Sequence, residues 1–255
     1  MLCPRPTEMS VSDAILSAIG SGAINSANIS FDLLRSIGMK DHGREMWDSL
    51  RRGRSILETT EQLDQYLHSY GPMTQGQWHV LLKGINLPEG AIHIVDYGCG
   101  QGLAGSCLLD HYGNELRERV DCIELIEISE IALARAHAVY SSYCPAAVIK
   151  LHNKGLDEVD LSDSQKSDRA STLHLMSNVL DLHTFSYESL ARKLFVRRGT
   201  HLIFAVSPKG NSGSRRVGAF HEFVGSLEGV IVHDARLRST RGYQPQVSLY
   251  MTTEV

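Results

Sequence analysis

The chain has 255 residues, 42% hydrophobic and 21% charged, with a formal net charge of -4. That length suits one large α/β domain or a smaller domain with an appendage, and the weak charge names no partner, so nucleic acid is possible but not indicated. No run approaches the ~20 consecutive apolar residues of a membrane helix, and MLCPRPTEMS lacks a signal-peptide core, so no membrane association and a soluble cytoplasmic chain are expected.

Five cysteines, Cys3, Cys99, Cys107, Cys122 and Cys144, are scattered with no C-x-x-C pair. Their spacing predicts reduced thiols and no metal site.

From about Ser10 to Gly84 the pattern is helical, with Leu63, Tyr66, Leu67 and Tyr70 on one stripe of a 3.6-residue period. A proline and a capping box at Thr74 to Gln77 predict the start of a further short helix ending near Gly84. The turn Leu87-Pro88-Glu89-Gly90 closes this helical region, residues 1–88, whose Tyr70, Met73, Gln75 and Trp78 either form a lid or simply pack the helices onto a sheet.

Residues 89–255 alternate strands with helices, which argues for parallel strands and helical crossovers. Strands are expected at Ile92 to Val95, Asp121 to Ile126, Ala147 to Leu151, Leu173 to Met176 and His201 to Val206. Between them helices are expected near Gly105 to Leu116, Ser129 to Tyr140 and Tyr187 to Phe195, with another near Val217 to Leu227. Two β-rich runs, Val230 to Val232 and Val247 to Met251, pair antiparallel through a loop from Arg238 to Gln244. The polar stretch Asp157 to Ala170 reads as a surface loop or helix edge.

The run Ile94-Val95-Asp96-Tyr97-Gly98-Cys99-Gly100-Gln101-Gly102 is a buried strand ending in an acid, then three alternating glycines. Glycines suit a sharp turn whose backbone touches a ligand. Gly100 to Gly105 also satisfies G-x-G-x-x-G, the dinucleotide fingerprint, although Asp96, Tyr97, Gly98 and Cys99 intervene between Val95 and its first glycine. Glu127 follows the strand Ile123 to Ile126, where a carboxylate can accept both ribose hydroxyls; its simpler role is to cap the helix at Ser129.

Residues 94 to 102 resemble the first motif of class I S-adenosylmethionine-dependent methyltransferases. Glu127-Ile128 with its alanine-rich helix, Leu173 to Leu182 and Arg198 to Phe204 resemble later motifs in the same order. The resemblance implies a Rossmann-like, doubly wound, mostly parallel seven-stranded sheet with a C-terminal antiparallel hairpin, and S-adenosyl-L-methionine as cofactor. It implies that Gly98, Gly100 and Gly102, with Tyr97 and Cys99 between and beside them, wrap the methionine part, that Asp96 acts near the amino group, and that Glu127 holds the ribose. Ile128 would pack on adenine, Ser177 would face the cofactor, and Asn178, Asp181 and His183 are the candidate catalytic residues.

The Asn/Asp-Pro-Pro-Tyr and Pro-Cys signatures of two nucleic-acid-methylating subclasses are missing. The acceptor stays open between small molecule, protein and RNA. Arginines at Arg51, Arg52 and Arg54, at Arg215 and Arg216, and at Arg236, Arg238 and Arg241 either grip phosphates or form solvated faces. Two rival readings remain, a non-catalytic methyltransferase-like binding module and a nicotinamide-dependent oxidoreductase.

Overall fold

A computed structural model describes residues 13–161, 171–196, 198–240 and 246–255. Four helices come first: α1 (Ala14–Gly20), α2 (Phe31–Gly38), α3 (Arg44–Ser49) and α4 (Thr60–Leu82). Asp13 and Ser30 start α1 and α2 by accepting from the N–H of Leu16 and Leu33.

At the head of α4, Thr59 Oγ1 accepts from Gln62 N at 3.2 Å, and Gln62 Oε1 accepts from Glu58 N at 2.6 Å. The cap expected at Thr74 is corrected, since Thr74 and Gln77 lie buried in the middle of this helix. Pro72 forfeits one helical hydrogen bond, but the buried stripe Leu63, Leu67, Gly71, Thr74, Trp78 and Leu81 runs straight past it. Tertiary packing therefore carries the helix through the proline.

The sheet portion runs β1 (Ile92–Tyr97), α5 (Leu103–Tyr112), α6 (Asn114–Arg117), β2 (Val120–Ile126), α7 (Glu130–Tyr143), β3 (Val148–His152) and β4 (Ser171–Ser177). It continues through α8 (Tyr187–Leu194), β5 (Thr200–Pro208), α9 (Asn211–Gly225), β6 (Ile231–Ser239) and β7 (Gln246–Glu254). Spatial order is β3-β2-β1-β4-β5-β7-β6, with β1 to β5 mutually parallel and β7 antiparallel to both neighbours. This is the expected Rossmann-like sheet with its C-terminal antiparallel pair.

Three boundaries differ from expectation. The helix over 105–116 is two helices, because Gly113 takes φ 60° between α5 and α6. α9 begins at Asn211 rather than Val217. β6 extends to Ser239, so Arg236 and Arg238 lie on a strand, one whose exposure on both faces hides any apolar alternation. Arg241, Gln244 and residues 162–170 of the polar stretch fall outside the described residues.

Alternation along β1 sends Ile92 and Ile94 to one face and Val95 and Tyr97 to the other, and both faces are covered. One apolar cluster unites Ile15, Phe31, Leu34 and Trp78 of the N-terminal helices with Ile94, Leu108 and Tyr140. The second joins Val95 and Tyr97 to Leu190 of α8 and Phe220 of α9. Strand order reverses between β1 and β4, so a crevice opens at their carboxyl ends. Among the described residues, no helix is long and apolar enough to cross a membrane.

Candidate functional site

Beyond β1 the chain turns through Gly98, Gly100 and Gly102, at φ 62°, 51° and 83°, a region that strains residues bearing a Cβ. A Cβ built on Gly100 would meet nothing within 4 Å, so glycine is there for backbone conformation and leaves the space before it open.

Across that turn, Glu127 Oε2 accepts from Gly100 N and Oε1 accepts from Ser129 N, both at 2.9 Å. Burial raises its pKa while these N–H groups pull it back down. Each oxygen has two acceptor sites, so each can take one further hydrogen bond. The cap of α7 is the Ser129 hydroxyl, which accepts from Ala132 N at 3.2 Å, leaving Glu127 available for other work. Beside it Ile128 is 53% exposed, a large apolar side chain presented rather than buried.

Gly98, Gly100, Glu127, Ile128, Ser177, Asn178, Asp181 and His183 all line one cleft of about 580 Å³. That volume lies within the roughly 300–1,000 Å³ typical of small-molecule sites. Gly53 to Leu57 and Tyr66 supply a further wall that sequence reasoning missed. Tyr66 stands on the stripe of Leu63, Leu67 and Tyr70, and Arg54 in the basic run from Arg51, but only the packing of the N-terminal helices brings them to the cleft.

Two polar residues at the end of β4 are held by α4. Ser177 Oγ accepts from Trp78 Nε1 at 3.1 Å, and Asn178, at φ 57°, exchanges amide hydrogen bonds with Gln77 at 3.1 and 3.0 Å. Trp78 itself is buried and stacked on Phe204, so it positions the β4 end from beneath. Asp181 lies 3.9 Å from Arg54; burial raises its pKa, and the Arg54, Arg216 and His183 charges oppose that rise. His183 is exposed on the cleft wall. Arg216 instead donates to the Leu180 and Phe185 carbonyls, and Arg236 to Asp234 and the Gly84 carbonyl.

Asp96, Tyr97, Cys99 and Gly102 stand behind the cleft wall. Asp96 is buried, and its Oδ2 accepts from Tyr140 Oη at 2.8 Å. Burial pushes its carboxyl up to about 7, with the Tyr140 hydrogen bond working the other way. Between its ordinary 3.8 and about 7 the unfolded chain has lost a proton that the folded chain keeps. This contribution therefore makes stability fall as pH rises through that window. Asp96→Asn should flatten the decline, measured as urea midpoints across the range; an unchanged slope would assign it to other groups.

The G-x-G-x-x-G match also has a structural explanation. Gly100 sits three residues past the end of β1, and a Cβ on Gly105 would overlap the Tyr140 hydroxyl. Gly105 thus admits the α7 tyrosine that reaches Asp96.

A buried cation ties the N-terminal helices to the glycine turn. Arg135 of α7 donates to Asp13 Oδ2 at 2.8 Å, Gln101 Oε1 at 2.8 Å and Asp64 Oδ1 at 2.9 Å. Its one sequence signal is a charge on the helical stripe of Ala132, Ala136 and Val139.

Fold and cleft together define a Rossmann-like domain with its crevice at the sheet's switch point. No family model matches the sequence, and no curated protein matches it. Similar solved structures include a SAM-dependent methyltransferase from Aquifex aeolicus, 14% identical, covering 74% of this chain and 95% of that one, with TM-score 0.48. A SAM-dependent methyltransferase from Leishmania major is 11% identical over 99% of this chain and 100% of its own, with TM-score 0.46. M. jannaschii TYW2, solved in complex with AdoMet, is 14% identical over 70% of this chain and 74% of its own, with TM-score 0.46.

Proposed function

We propose that this chain is an S-adenosyl-L-methionine-dependent methyltransferase whose acceptor enters the cleft beside Asp181 and His183. The observation carrying the reading is Glu127, clamped by the Gly100 and Ser129 N–H groups beside exposed Ile128. A carboxylate fixed in that way suits a vicinal diol, and an exposed isoleucine suits the flat face of a base. When bound, the cofactor supplies an electrophilic methyl group on a sulfonium.

The residues of the chain then divide the work. Glu127 accepts from the ribose hydroxyls, Ile128 covers the adenine, and backbone at Gly98 and Gly100 flanks the methionine part. Gly102, Tyr97, Cys99 and buried Asp96 shape the turn from behind. Ser177 and Asn178, immobilised by Trp78 and Gln77, form the wall between cofactor and acceptor. In-line displacement gains chiefly from such alignment, and Asp181 and His183, which line the cleft, would accept the acceptor's proton. Gly53 to Leu57 and Tyr66 of the helical region wall the acceptor's side of the cleft, and the cysteines that the structure describes, all buried and outside any disulfide, suit a reducing cytoplasm.

Calorimetry with S-adenosylmethionine and its demethylated product tests the reading. Wild type should bind, and Glu127→Ala should lose about 10–100-fold in affinity, the worth of hydrogen bonds to a charged group. Gly100→Val should lose binding altogether. A wild type that gives no heat with either nucleoside, or that is stabilised by a nicotinamide dinucleotide instead, refutes it.

A further inference from the structure

On the sheet face covered by α8 and α9, away from the cleft at the strand ends, β1 and β2 bring a nitrogen, a sulfur and an oxygen donor together. His93 and Cys122 are register partners on the neighbouring strands, and Glu124 follows Cys122 on the same face. One ligand atom from each of the three lies within 4.8 Å of the others, and all three residues are buried.

His93 Nε2 lies 3.0 Å from Glu124 Oε1. Yet neither ring nitrogen of His93, which is 1% exposed, has a hydrogen-bond partner among the described residues. An imidazole nitrogen and a carboxylate oxygen this close without hydrogen-bond alignment fit the spacing of two ligands on one ion. Ligand atoms around tetrahedral zinc stand roughly 3.4 Å apart at bond lengths of about 2.0–2.3 Å.

The other Glu124 oxygen is 3.0 Å from His152 Nε2, on β3, which fixes the carboxylate from outside. His152 is partly exposed on the edge strand of the sheet. His93 and Glu124 also border a void of about 20 Å³, room for one water ligand. A divalent ion there would set positive charge beside a deeply buried carboxylate, which lowers the cost of keeping it ionised.

We propose that His93, Cys122 and Glu124 form a binding site for a divalent zinc-type ion, with water in the fourth position. The thiolate, imidazole and carboxylate set suits zinc among the divalent metals. Its mid-strand location keeps it apart from methyl transfer, and its role is to clamp β1 to β2.

Cobalt(II), titrated into the full chain after stripping with a chelator, is the probe. One equivalent should give a thiolate-to-cobalt charge-transfer band, which zinc displaces, and zinc should raise the Tm of the stripped wild type. Cys122→Ser should abolish the band, while Cys3→Ser keeps it. His93→Gln should weaken cobalt binding by more than the roughly 10–100-fold that loss of a ligand's outer partner costs. A wild type without the band, a band that survives Cys122→Ser, or a zinc-insensitive Tm overturns the proposal and leaves a His93–Glu124 ion pair. The wild-type measurements stand even if a variant misfolds, and nucleoside calorimetry reads the cleft separately.

Discussion

Arg135→Ala should destabilise the fold by about 3–5 kcal/mol, the usual cost of removing one partner from a buried ionic cluster. Its guanidinium is fully buried, with Asp13, Gln101 and Asp64 each within 2.9 Å. Burial already raises the pKa of Asp64, and Arg135 is the largest influence holding it down. Without the cation, buried Asp64 loses the partner that chiefly offsets its desolvation. The loss should be read as a lowered urea midpoint at neutral pH, shrinking under acid as Asp64 protonates. Because Gln101 belongs to the glycine turn, nucleoside affinity should fall as well. A midpoint within experimental error of wild type would mean that Arg135 does not bind the N-terminal helices to the sheet.

Gly105→Ala should cost about 3 kcal/mol, although helix propensity alone favours alanine by roughly 1 kcal/mol. The added Cβ would overlap both Oη and Cζ of Tyr140. Tyr140 is fully buried and anchored on Asp96, so its ring has nowhere to retreat. In a Tyr140→Leu background the same substitution should cost much less, and the double-mutant cycle measures that coupling. Equal penalties in both backgrounds would place the clash elsewhere. A stabilising Gly105→Ala would show that α5 and α7 pack more loosely than a close-packed core.

The glycine turn and the acid beside it were legible because their signals are local. A strand, an acid and spaced glycines are neighbours in the chain, and Glu127 announces itself as the acid just past a strand. Local signals also misled where packing overrode them. Pro72 and the Thr74 box read as a helix start, yet a continuous buried stripe makes α4 one helix. The start of β6 was visible at Val230 to Val232, but its extension to Ser239 hid because both of its faces meet solvent, which erases the period of two.

Sequence by itself determined the alternation of strands and helices after residue 88, where the backbone must turn through glycine, and which acid follows β2, since dihedral preference and burial period are written in adjacent residues. Only the tertiary structure decided what meets across the sheet: Arg135 with aspartates 122 and 71 residues away, Gln77 with Asn178, and His93 with Cys122 and Glu124. Those meetings depend on strand order and register, which arise from the whole core packing at once, and no short window of residues encodes them.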